Sequence, residues 1–287
     1  MLVSSKEILN DAFKKKYAVG AFNVENMEMV IAVLNAAEET KSPVIMQTTP
    51  GTLKYAGADF YFANIQAAAK RSKIPVVCHL DHGDSFETAV NAFHAGYTSI
   101  MIDGSKLALD DNIELTKSVV KVCHSANIPV EAELGRVGGK EDDIHSHKKS
   151  TAEISPFTDP AEAEIFVKKT GCDFLAVAVG TAHGIYKGTP QVNFEVLKKI
   201  HELLNIPLVL HGTSGVPDNQ VKECIRLGMA KVNYATDLRI AYTHGVKEYM
   251  RGSPDGFDPK KYGAYGIEEV KNYVTQRMRV IGSCGHI

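Results

Sequence analysis

The chain has 287 residues, 44% hydrophobic and 23% charged, with a formal net charge of −2. That composition is ordinary for a globular protein, and the near-zero charge gives no electrostatic reason to expect nucleic acid or a membrane surface as partner. No apolar run approaches the ~20 residues of a membrane span. The five cysteines (Cys78, Cys123, Cys172, Cys224, Cys284) lack C-x-x-C spacing, so free thiols in a reducing cytoplasm are expected rather than a disulfide framework.

In chain order, the amphipathic segment MLVSSKEILNDAFKKK comes first. It lacks the apolar core of a signal peptide, which again points to the cytoplasm. Eight short β-rich runs follow: Ala18–Asn23, Pro43–Thr48, Pro75–Leu80, Thr98–Asp103, Pro129–Leu134, Asp173–Val179, Pro207–His211 and Ala230–Ala235. Four begin with proline, which is tolerated at the first residue of a strand and ends the preceding helix. The stretches between are helical in period. In 84–95, Phe86, Ala89, Val90 and Phe93 share a face; in 112–126, Ile113, Thr116, Val119, Val120 and Cys123 do so.

This alternation predicts α/β class, a single (β/α)8 TIM barrel over residues 1–287. A doubly wound sheet would more often carry G-x-G-x-x-G after its first strand; Asn23-Val24-Glu25-Asn26 is not that. Two connections read as long, Gly135–Pro160 and Asp237–Tyr265. Barrel active sites lie at the C-terminal strand ends, so 135–160 is a candidate mobile loop over the site.

Three histidines sit where apolar runs end, each followed at once by glycine: His82 in PVVCHLDHG, His183 in FLAVAVGTAHG and His211 in PLVLHGTSG. A single histidine is more often a core or surface residue. Three at equivalent barrel positions suit a catalytic zinc or another divalent transition metal with an open coordination position. His145 and His147 precede Lys148-Lys149 and read as exposed loop, and that lysine pair, like Lys14–Lys16, reads as a solvated face.

Asp81 precedes His82 at a strand end, where a buried carboxylate must be hydrogen-bonded or do acid–base work; orienting a ligand histidine is the alternative. Glu131 and Glu133 lie two apart and so on one face. With Asp103, they are candidates to hold a second cation or to orient ligands. Glu141, on the loop, is a candidate base or a solvated charge. The segments His211-Gly212-Thr213-Ser214-Gly215 and Asn233-Tyr234-Ala235-Thr236 follow strands seven and eight, where barrels often bind phosphate; Gly184 is placed to help. A Schiff-base lysine is disfavoured: FLAVAVG contains none, and Lys231 starts strand eight at the opposite end and reads as structural.

These segments, with YAVGAFNVEN, SPVIMQTTPGT, HAGYTSIMIDGS, VEAELGRVGGKEDD and AKVNYATDLRIA, resemble the class II, metal-dependent ketose-bisphosphate aldolases nearly end to end. The resemblance implies that His82, His183 and His211 hold the catalytic metal, Asp81 handles the C4 hydroxyl, and Glu141 moves the C3 proton. It implies that Asp103 and Glu133 hold a second, monovalent cation in some members. Gly184, Gly212, Ser214, Asn233 and Thr236 match the dihydroxyacetone phosphate site, Arg239 a contact to the far phosphate, and Asn23 and Thr49 weaker substrate contacts.

The implied reaction is reversible cleavage of a ketose 1,6-bisphosphate to dihydroxyacetone phosphate and glyceraldehyde 3-phosphate. Small Ala235, with GTAHG and ELGRVGG, favours tagatose 1,6-bisphosphate; Gly215 fits the pattern for fructose 1,6-bisphosphate, the glycolytic alternative. A homodimer or homotetramer is implied, and some tagatose-type relatives use an accessory subunit. A metal-dependent barrel hydrolase often opens with H-x-H on strand one, absent from AVGAFN. A non-catalytic sugar-phosphate sensor would have lost a ligand or acid–base residue, and none is lost.

Overall fold

The computed structural model describes residues 1–139, 157–186 and 188–287. The first half runs α1 (Ser5–Lys15), β1 (Val19–Asn23), α2 (Met27–Thr40), β2 (Val44–Thr48), α3 (Pro50–Ala56), α4 (Ala58–Lys70), β3 (Val76–Gly83), α5 (Phe86–Ala95) and β4 (Ser99–Ile102). The second runs α6 (Leu109–His124), β5 (Val130–Leu134), α7 (Pro160–Thr170), β6 (Phe174–Val177), α8 (Phe194–Leu203), β7 (Leu208–Leu210), α9 (Asp218–Arg226), β8 (Met229–Tyr234), α10 (Thr236–Gly252) and α11 (Pro259–Val280). The eight strands are parallel and close into a barrel in chain order, β8 pairing back to β1. The (β/α)8 expectation is met.

Seven strands start one residue later than the sequence suggests, and the prolines account for three of these starts. Proline has no N–H, so Pro75, Pro129 and Pro207 join the ladder through their carbonyls alone, accepting from Val44, Ile100 and Leu175. The other boundaries shift at the C-terminal ends. β3 continues through Asp81 and His82 to Gly83, while Asp103, His211 and Ala235 lie just past their strands.

Helix starts follow side-chain capping: Asn26, Ser85, Asn193 and Asp258 each accept a backbone N–H from the first turn. One expectation is corrected. The stretch after β8 is not a long loop, because α10 and α11 occupy nearly all of it and leave only the turn 253–258. The turn-rich 252–259 that suggested a loop is only the break between the helices, and Gly245 and Gly266 sit inside them, where a Cβ would meet the Tyr265 carbonyl at 2.4 Å or the Tyr242 ring at 2.5 Å. They permit close helix packing rather than a turn.

Two apolar layers hold the barrel. The outer joins strands to surrounding helices. The inner comprises Val19, Ala21, Ile45, Val77, Met101, Phe174, Ala176, Val209 and Ala230, closed from below by Leu9 and Ala12 of α1. The C-terminal segment returns to the first strand, with Ala18 N–H donating to the Ile281 carbonyl at 3.0 Å. Among the described residues no helix is long and apolar enough to cross a membrane.

Candidate active site

Strand alternation carries the apolar inner layer upward into a polar one. Two residues beyond Ala21, Ile45, Val77, Met101 and Val209 in turn stand Asn23, Gln47, His79, Asp103 and His211. Asp81, two beyond His79, is fully buried and accepts three amide hydrogen bonds. Asn23 Nδ2 donates to its Oδ2 at 3.0 Å, Gln47 Nε2 to the same oxygen at 3.1 Å, and Asn233 Nδ2 to Oδ1 at 3.0 Å. A buried carboxylate so held has its orientation fixed from three strands.

His82 sits at an irregularity in the β3–β4 ladder between Leu80 and Gly83, with φ +49°. A side chain in that region is strained by about 1–2 kcal/mol. Such bulges re-aim a side chain, and here Nε2 points to His211 Nδ1 at 2.8 Å. Ring nitrogens of His82, His183 and His211 lie within 4.8 Å of one another, close enough that together they could hold a metal ion. Their rings meet edge-on, His82 to His211 at 4.6 Å and to His183 at 4.9 Å between centroids.

The electrostatics fit a cation. Burial opposes protonation of His82, but Asp81, Asp103 and Glu133 outweigh it and raise its pKa well above the usual value. Burial and the neighbouring positive charge of His82 push His211 well below it. The close approach of His82 Nε2 and His211 Nδ1 favours one positive centre between them, a place a dication with neutral imidazole ligands would fit. On the other edge of His82, Nδ1 lies 3.1 Å from Asp103 Oδ2 and 3.6 Å from Glu133 Oε2. The former is the carboxylate–histidine arrangement that orients a ligand. The same three residues form a second cluster able to hold a cation. Glu133 Oε2 is buried without a hydrogen-bond partner, and burial and then the Asp103 charge push its pKa well up.

A cavity of about 450 Å³ opens beside these groups, lined by Thr49, His82, Asp103, Lys106, Glu133 and His183 among others. The candidate phosphate residues do not line it. Gly212 adopts φ +62°, and a Cβ there would stand 2.6 Å from the Ala182 backbone, so glycine is required. Ser214, Asn233 and Thr236 are buried around the β7 and β8 ends. Gly184 has φ +92° with open space beside it. Ala235 is buried and precedes α10 without a side-chain cap. Arg239 donates through Nε and Nη2 to Glu25 Oε1 at 2.9 and 2.6 Å, and Thr52 holds the other oxygen of Glu25 at 2.9 Å. Glu141, with His145 and His147, lies outside the described residues. Both ends of the 135–160 connection rest on the segment after β6: His183 N–H donates to the Gly138 carbonyl and Thr158 N–H to the Ala178 carbonyl.

Several site residues escape the sequence reading. Gln47 is an amide in the otherwise mostly apolar buried run VIMQT, a detectable signal. Glu25 has none. Tyr186 ties the His183 and His211 loops together, its hydroxyl accepting from Ala182 N–H at 2.6 Å and donating to the Gly212 carbonyl at 2.7 Å; nothing in GIYKG announces it.

A family model described as fructose-bisphosphate aldolase class-II matches residues 3–286. The chain belongs to the class-II fructose-bisphosphate aldolase family. That makes it a lyase by family, of a kind generally metal-dependent. Among solved structures it is similar to the YdjI aldolase of Escherichia coli K12, at 38% identity and TM-score 0.87, over 100% of this chain and 99% of that one. It shares its fold with the fructose-bisphosphate aldolase Fba of Campylobacter jejuni, at 23% identity and TM-score 0.82, over 99% and 96% of the two chains.

Proposed function

We propose that this protein is a zinc-dependent aldolase that reversibly cleaves a ketose 1,6-bisphosphate, with tagatose 1,6-bisphosphate favoured over fructose 1,6-bisphosphate. The observation that carries this reading is the convergence of His82, His183 and His211 beside the triply held carboxylate of Asp81. The imidazoles would hold the divalent ion, which when bound supplies Lewis-acid polarisation of the ketone.

Asp81 takes the proton of the C4 hydroxyl. The C3–C4 bond breaks, the aldehyde half leaves, and the electron pair passes toward C3 and the C2 oxygen. Glu141 returns a proton to C3, completing dihydroxyacetone phosphate. Asn23, Gln47 and Asn233 keep Asp81 from rotating, and His82 is kept in register by Asp103. Gly184, Gly212, Ser214, Asn233 and Thr236 bind the phosphate next to the ketone, and Arg239 serves the far one, supplying remote binding energy. Asp103 and Glu133 are the candidates for a monovalent cation, Thr49 for a weaker substrate contact, and the 135–160 loop for closure over a single-domain barrel. A cytoplasmic homodimer or homotetramer, with or without an accessory subunit, fits the same reading.

Small Ala235, at the head of α10, is the basis for the tagatose preference. Cleavage of both bisphosphates in parallel, with and without EDTA, is the test. EDTA-sensitive cleavage with a higher kcat/KM for tagatose bisphosphate is expected. A fructose preference would overturn the role given to Ala235, and EDTA-resistant cleavage would overturn the metal mechanism.

A further inference from the structure

Beneath the three imidazoles the barrel interior holds a charged layer that the proposed proton transfers do not use. Glu131 of β5 and Lys231 of β8 are fully buried, as is His211, and His79 nearly so. Lys231 Nζ reaches both Glu131 oxygens, at 2.9 Å to Oε2 and 3.2 Å to Oε1. Glu131 Oε1 also lies 3.0 Å from His211 Nε2. His79 Nε2 stands 3.5 Å from Oε2, and its Nδ1 lies 2.8 Å from Ser99 Oγ, which accepts from Ser5 of α1.

An ionised carboxylate has no hydrogen to donate. His211 Nε2 must therefore carry the hydrogen in this contact. A neutral imidazole has one N–H, so Nδ1 is left with its lone pair, and Nδ1 is the atom facing His82 Nε2. Two contacts from Lys231 fix the carboxylate and cancel its charge.

We propose that Glu131 and Lys231 are a positioning pair for the metal centre: Glu131 sets the tautomer of His211, and Lys231 holds Glu131 in place. This rests on the reading of His82, His183 and His211 as ligands. Glu131 is not itself a ligand, since it meets His211 on the nitrogen opposite the other imidazoles. The pair also explains a lysine inside the barrel without Schiff-base chemistry.

Removing one partner alone would strand a buried charge, whereas removing both is often tolerated. The test therefore compares two double variants, Glu131→Gln with Lys231→Met and Glu131→Leu with Lys231→Met. Only the first keeps an acceptor for His211. Zinc affinity is measured by competition with a chromophoric chelator, alongside the melting temperature of the metal-free proteins. Zinc binding about 10- to 100-fold weaker than wild type is expected for the Leu variant, with the Gln variant close to wild type and the two melting alike. Wild-type affinity in the Leu variant overturns the proposal. Equal weakening in both overturns the tautomer role, because the acceptor then makes no difference. A wild-type protein that binds no zinc overturns the ligand reading itself, and this one with it. If neither double variant folds, nitrogen-15 NMR of histidine-labelled wild-type, metal-free protein decides, with His211 assigned from His211→Gln. Protonated Nε2 supports the proposal and protonated Nδ1 overturns it.

Discussion

At the floor of the barrel the inward side chains are Val19, Ile45, Val77, Phe174 and Val209, sealed by Leu9 and Ala12. At the mouth the same strands or their immediate extensions turn inward Asn23, Gln47, Asp81 and His211. The floor is held by burial without directional bonds, so a change there alters stability in proportion to the volume lost. The mouth holds a carboxylate between three amides and a histidine in left-handed backbone, arrangements that cost stability and are kept by the rest of the fold. Between them, Glu131 and Lys231 form the transition from one to the other.

Three substitutions would break or sharpen this division. Asp81→Asn is expected to lower kcat by about 10²- to 10⁴-fold, the usual contribution of a positioned acid–base group, with little change in melting temperature. Leu9→Ala should do the opposite, costing about 2–5 kcal/mol of stability while kcat/KM stays near wild type. A large fall in kcat there would show that floor and mouth are coupled. Glu25→Gln tests the rim. It loosens a partly buried ion pair worth about 1 kcal/mol or less and weakens the hold of Glu25 on Arg239. KM for a bisphosphate should fall about 2- to 5-fold with kcat unchanged; a rise in KM would mean that Glu25 is needed to aim Arg239.

The barrel was legible because its signals are local. Each strand is a short apolar run, four are announced by proline, and each candidate ligand histidine ends or closely follows one. Asp81 was legible for the same reason. The amides that hold it come from β1, β2 and β8, and only barrel closure places them together. The Glu131–Lys231 pair spans 100 residues of sequence, and Lys231 in isolation resembles any strand-edge lysine. α10 and α11 were hidden because the turn-rich 252–259 marks the break between two helices as plainly as it would mark a loop. His82 was legible as a candidate ligand, but its backbone strain was not, since no residue type marks it.

Barrel closure also bears on how the protein is made. β1 pairs with β8 over Val19–Phe22 and Lys231–Tyr234, and Ala18 receives its last backbone partner from Ile281. During synthesis the first strand must wait, unpaired on one edge, until more than two hundred further residues have emerged. Contacts so distant in sequence slow folding, and an unpaired edge invites association with other chains. The newborn polypeptide is therefore most vulnerable to aggregation just before its final segment arrives. A truncation that removes β8 should yield inclusion bodies rather than a smaller stable barrel, as expression and fractionation of such a fragment would reveal.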